Sequence, residues 1–168
     1  MIRTLTMAGG IAGAVALSQF PEFSQQYMQR MSGAVDELRG VVVAFDLTAT
    51  ASGLTRQEAL NRMQGDDFQE GLRDTIETSI NRYESLSTNL TALRSATPLE
   101  RLGQFYRFSD TDLAQRTWQD FKPAVPVTTD GLIAAGIGFL IGWLGLGLLF
   151  AGLRRAFRRT RWYALPRT

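Results

Sequence analysis

From Gly131 to Leu153 the chain reads GLIAAGIGFLIGWLGLGLLFAGL, 23 consecutive residues without a charge. At about 1.5 Å of rise per residue this makes a helix of roughly 34 Å, and a bilayer core of about 30 Å takes about 20 apolar residues. The run reads as a transmembrane helix. A buried core helix is the alternative, but globular cores seldom hold a helix so long and so bare of polar atoms. Arg154, Arg155, Arg158, Arg159 and Arg161 follow at once. Positive charge beside a span marks its cytoplasmic end, so the C-terminus is expected in the cytoplasm, with Trp162 and Tyr163 in the interfacial aromatic belt. The same arginines are placed to meet anionic lipid head groups.

Charge is divided along the chain. Residues 21–130 hold all 16 acidic residues and 11 of the 18 basic ones, a net −5, while residues 154–168 carry six arginines and no acid. The pI of 9.4 therefore belongs to a tail and not to a nucleic-acid-binding surface. Near the N-terminus, Thr4–Phe20 is an uncharged stretch of 17 residues after Arg3. It reads as a short first span, with a cleaved signal peptide as the alternative, since Ala14 and Ala16 have the spacing of a cleavage site. Gly9 and Gly10 dilute its apolar centre, and a retained span is expected. The expected division is a first span over 1–20, a periplasmic helical segment over 21–130, a second span over 131–153 and a basic tail over 154–168, with both termini cytoplasmic.

The middle segment carries helical periodicity. Phe23, Tyr27, Met31, Ala34, Val35, Leu38, Val41, Val42 and Phe45 recur at spacings of three and four, predicting a helix over 21–46 that the small polar residues from Thr48 to Gly53 bring to an end. Thr55 and Glu58 form a capping box for a short helix stopping at Gly65. Asp66 or Asp67 opens what reads as the longest soluble helix, with Phe68, Leu72, Ile76, Ile80, Tyr83, Leu86, Leu90 and Leu93 on one stripe. Its slow drift suits a long coiled-coil-like contact, within an antiparallel hairpin or between copies. Thr97, Pro98 and Glu100 announce another helix start, and Ser109 with Asp112 a further one. Pro123 and Pro126 make an extended lead into the last span. Nothing alternates as a half-buried strand would, so the fold class is an all-α membrane protein, two transmembrane helices flanking a periplasmic helical hairpin with short accessory helices.

Small residues recur within both apolar segments, at Gly9 and Gly13 and at Ala134, Gly138 and Gly142. That spacing makes a flat ridge where helix backbones approach closely in lipid, although glycine is also simply common in membrane helices. Whether such a contact joins the two spans or two copies is open at this level.

Chemistry is scarce. The chain has no cysteine and no histidine, which excludes thiol nucleophiles, Ser-His-Asp triads, disulfides and the usual zinc sites. The closest carboxylates, Asp36 with Glu37, Asp66 with Asp67 and Asp110 with Asp112, read as helix-dipole and solvated-face residues and not as a general acid and base. No calcium loop or phosphate loop is present, and neither apolar segment holds an ionisable residue of the kind a proton relay needs.

The run Phe20-Pro21-Glu22-Phe23, then Gln26-Tyr27, Gln29-Arg30 and Gly33-Ala34-Val35-Asp36-Glu37-Leu38, resembles the opening of a family of bacterial membrane proteins catalogued as domain of unknown function 2937. The resemblance implies a bacterial inner-membrane protein with a short N-terminal span and a second span near the C-terminus, and it implies no activity. The expectation is a structural, non-enzymatic protein without cofactor, whose partners are membrane lipid and further copies of itself, and not nucleic acid. An accessory subunit of a larger inner-membrane complex is the alternative, and a membrane-anchored enzyme using Asp or Glu a more distant one.

Overall fold

Pro21 stands where the first helix gives way to the second. In the computed structural model, which describes residues 2–160 with side chains through 156, α1 is Ile2–Ser18 and α2 is Phe20–Ala51. Proline lacks an N–H, and in the first turn of α2 none is needed. The Gln19 carbonyl accepts from the Phe23 N–H at 2.9 Å and closes that turn.

α2 runs five residues past the expected end at Asp46. The small polar residues do not stop it, because Thr48 and Thr50 donate their hydroxyls to the carbonyls of Ala44 and Asp46 inside the helix. It ends at Gly53, whose φ of +70° is a left-handed conformation that glycine adopts without steric cost. There the Leu54 N–H reaches the Ala49 carbonyl and the Gly53 N–H reaches that of Thr50, both at 2.9 Å, a Schellman closure.

α3, Arg56–Arg62, opens on the Thr55–Glu58 capping box and ends three residues before Gly65, at a Met63 C-cap. α4, Asp67–Ser95, is capped by the Asp66 side chain on the Gln69 N–H. At 29 residues it is shorter than the 32 of α2, so it is not the longest helix of the middle segment. α5, Glu100–Gly103, follows a reciprocal pair in which Glu100 accepts from the Thr97 N–H and Thr97 Oγ1 from the Glu100 N–H. A single 3-10 turn covers Phe105–Arg107. α6, Thr111–Gln119, is capped by Asp110 and not by Ser109, since Asp110 Oδ1 accepts from the Leu113 N–H. Residues 121–127 have no regular secondary structure, and α7, Thr129–Thr160, closes the described chain. All regular structure among the described residues is helical.

The chain divides into two compact units, one built by α1 and α7 and the other by Ser24–Phe121. In the second, Arg94 on α4 donates to Ser32 on α2, while Val42 packs in one cluster with Ile80 and Leu60. Early α2 thus meets late α4, and the two helices run antiparallel. Phe45, Ile76 and Tyr83 close around that cluster. Tyr27 and Met31 are fully buried, Leu86, Leu90, Leu93 and Leu113 are buried as well, and the Tyr27 ring lies 4.8 Å from Phe108.

In the first unit, one helix is long and apolar enough to cross a membrane, Thr129–Ala156 within α7. α1 has 17 residues, about 26 Å of rise, a little under the thickness of a hydrocarbon core.

Candidate functional site

Gly9, Gly13, Gly138 and Gly142 come together within this single chain. A Cβ placed on Gly13 would overlap the Gly138 carbonyl oxygen, one on Gly138 the Gly13 carbonyl, and one on Gly142 the Gly9 carbonyl. The pairs 9 with 142 and 13 with 138 make α1 and α7 antiparallel, with backbones in direct contact. Gly10 meets the Phe139 ring, and Ala134 is fully buried. The polar atoms of this seam are satisfied locally: Thr6 donates to the Arg3 carbonyl and Ser18 to that of Val15. At one end, the Gln19 carboxamide donates to the Ala124 carbonyl and accepts from its N–H, both at 3.1 Å. Gly136, Gly145, Gly147 and Gly152 face open space.

Outside the seam both helices present apolar side chains. Ile2, Leu5, Met7, Ile11 and Val15 are exposed on α1, and Leu132, Ile137, Leu140, Ile141, Leu144, Leu148 and Leu149 on α7. Monomeric soluble proteins rarely leave a contiguous apolar surface of this extent to water. Arg154 and Arg155 are exposed beyond it. Arg161, Trp162 and Tyr163 lie outside the described residues, as do the side chains of Arg158 and Arg159.

The α4 stripe divides in two. Ile80, Leu86, Leu90 and Leu93 are buried inside the unit, and Ile76 and Tyr83 partly so, whereas Phe68 is 76% and Leu72 43% exposed. The sequence left open whether the stripe is covered within the chain or by another copy. The chain itself buries most of it, with Val42 and Phe45 of α2 and Leu60 of α3 packed with Ile76, Ile80 and Tyr83.

Carboxylates serve the scaffold. Asp46 receives a two-pronged hydrogen bond from Arg56, at 2.7 and 2.6 Å, and that bond holds its carboxyl below the usual range. Arg56 also reaches Glu84. Asp110 caps α6 and accepts from Arg82. Asp112 is held low chiefly by Arg116, and Arg82 contributes. Asp36 and Glu37 are exposed on α2. Among the described residues no three acidic side chains converge to hold a metal ion.

One cleft was not foreseen from the sequence. Between α2, the end of α4 and α5 lies a cavity of about 360 Å³, lined by Gln25, Met28, Gln29, Ser32, Arg94 and Arg101. Arg94 Nη2 donates to Ser32 Oγ at 2.8 Å, and Arg101, 8% exposed, donates its Nε to the Leu93 carbonyl at 2.9 Å. The available signal was a second, polar stripe on α2, with Gln25, Gln29 and Ser32 at helical spacing beside the apolar one.

The family described as Protein of unknown function (DUF2937) matches the chain over residues 1–159. The chain belongs to this family. No curated protein and no solved structure matches it. The resemblance seen in the Phe20–Leu38 run is thus a true membership extending to nearly the whole chain.

Proposed function

We propose that this member of the family is a structural protein of the bacterial inner membrane. In this reading α1 and α7 cross the bilayer together as a fixed antiparallel pair and hold the helical unit Ser24–Phe121 on the periplasmic side. The observation that carries it is the apolar outer surface of the glycine-packed pair, suited to lipid and unsuited to water. The modest shortfall of α1 is of the kind bilayers accommodate by local thinning. Arg154 and Arg155 at the end of α7 favour a cytoplasmic C-terminus.

The protein then self-associates into a scaffold. The α1 and α7 ridges are occupied within one chain, which leaves the exposed start of the α4 stripe, Phe68 and Leu72, as the surface for contact between copies. Because the chain has no cysteine, Phe68→Cys introduces a single thiol. Bifunctional thiol crosslinking in native membranes is expected to give a product of twice the 18.6 kDa chain mass. Monomer alone would overturn self-association, and a foreign chain at that thiol would make the protein an accessory subunit. A membrane-impermeant maleimide tests placement separately: it is expected to label the Phe68→Cys thiol from the periplasmic side of intact spheroplasts.

A further inference from the structure

We infer that a second copy of this chain packs on α7 through Trp143, inside the bilayer. The inference rests on the membrane reading, because only hydrocarbon denies the indole an acceptor, and it adds a contact to the one proposed at Phe68.

Between Gly131 and Leu153, Trp143 is the only side chain with a nitrogen or oxygen atom. It stands twelve residues after the first and ten before the second, in the middle of the span. Tryptophan ordinarily anchors at the membrane–water interface, where its N–H stays wet. Other polar side chains of the helix pair are satisfied at home, the Thr6 and Ser18 hydroxyls donating to carbonyls of their own helix. The Trp143 indole N–H has no acceptor among the described residues, and its side chain is 44% exposed. Lipid tails offer it nothing, and an open donor is costly in hydrocarbon. Its acceptor therefore comes from another helix.

The same face of α7 supplies what such a donor needs. Gly136, Leu140, Trp143 and Gly147 are spaced by four, three and four residues, and Trp143 lies about 100° around the helix from Gly142 of the α1 seam. Leu140 is exposed, and a Cβ on Gly136 or on Gly147 would meet nothing within 4 Å. In the seam, the carbonyl oxygens of Gly138 and Gly142 are among the atoms that a Cβ on Gly13 or on Gly9 would meet, so glycines of α7 turn their carbonyls toward the helix packed there. At Gly136 and Gly147 the backbone is bare in the same way, on a different face. Donor and acceptors, opposite in partial charge, thus share one patch and satisfy each other when the patch meets itself, as it does in a two-fold pair. Copies inserted with one orientation bring their α7 helices together in parallel, Trp143 level with Trp143, and Gly147 one turn on leaves room for the ring.

The test uses Leu140→Cys in native membranes, where no detergent competes for an apolar face. The chain has no cysteine of its own, and oxidation with copper phenanthroline is expected to give a disulfide-linked product of twice 18.6 kDa. Ile141→Cys, at the same depth but about 100° around the helix, is expected to give little. In the Leu140→Cys background, Trp143→Phe keeps a ring and removes the donor, and is expected to lower the yield about threefold. Gly147→Leu, at a position where a side chain meets nothing of its own chain, is expected to lower it further. Equal yields from Leu140→Cys and Ile141→Cys, or a yield indifferent to Trp143→Phe, would overturn the inference. A product containing a foreign chain would overturn it too, replacing the second copy by another membrane protein. A chain that resists alkaline carbonate extraction yet gives no product fails this inference alone, whereas release by carbonate removes the membrane reading and this inference with it.

Discussion

Tyr27 is fully buried, and its phenol is pushed up to about 12, chiefly by burial, with the nearby Asp110 backbone acting in the opposite sense. The unfolded chain loses that proton near pH 10, so between about 10 and 12 the folded state holds a proton that the unfolded state has given up. The stabilisation is complete below pH 10 and is lost as pH rises through the folded value. Tyr27→Phe keeps the ring against Phe108 and removes the titrating group. Urea unfolding followed by circular dichroism is expected to show wild-type stability falling by roughly 1–3 kcal/mol from pH 10 to 12, against a shallower fall in Tyr27→Phe. Parallel curves would show that the phenol does not couple to folding. The acid side has the opposite sign. Asp46, Glu58, Glu100 and Asp112 are all held below their ordinary values, by Arg56, by the Thr55 and Thr97 backbones and by Arg116 respectively. What they contribute is present above their unfolded values near 4 and is lost as pH falls below, so helicity is expected to be flat from about pH 5 to 9 and to decline under about pH 4.

Among elements, the α1 and α7 seam gives the sharpest contrast, because two glycines two residues apart face different surroundings. A side chain at Gly138 meets the Gly13 carbonyl and Leu17, whereas one at Gly136 meets nothing within 4 Å. Gly138→Leu is therefore expected to separate the helices, and Gly136→Leu to leave them paired. Single cysteines introduced at Thr6 and at Leu146 give the readout, since disulfide formation between α1 and α7 should be lost in the first variant and kept in the second. Equal behaviour would mean that the seam is not held by close backbone approach. These two helices also show what a sequence makes legible. The long apolar run, the small-residue spacing and the Thr55–Glu58 capping box are local signals, and each is read from a few neighbouring residues. That Gly13 meets Gly138, 125 positions away, is a tertiary fact that no local pattern carries. The end of α2 was misplaced because Thr48 and Thr50, residues that often mark helix ends, satisfied their hydroxyls on the helix itself. The cleft was missed because Arg94 and Arg101 acquire their meaning only when α2 brings Gln25, Gln29 and Ser32 beside them.

At the scale of the whole molecule, the α4 stripe separates what holds the fold from what is left over for partners. Ile80 is buried with Val42 and Leu60, so Ile80→Asp places an unpaired charge in the middle of that cluster, a change that costs several kcal/mol and opens the Ser24–Phe121 unit. Phe68 stands at the other extreme of exposure, and a substitution there leaves the cluster untouched. Phe68→Asp is therefore expected to change stability by no more than about 0.5 kcal/mol. If copies of the chain meet through this end of α4, the same substitution removes an aromatic anchor and buries a charge in both halves of the contact, because a two-fold interface uses the same patch on each copy. Sedimentation in mild detergent then distinguishes the two roles: Phe68→Asp should shift the particle toward monomer with helicity intact, while Ile80→Asp should lose helicity first. A Phe68→Asp protein that kept its wild-type particle mass would overturn this end of α4 as the contact between copies.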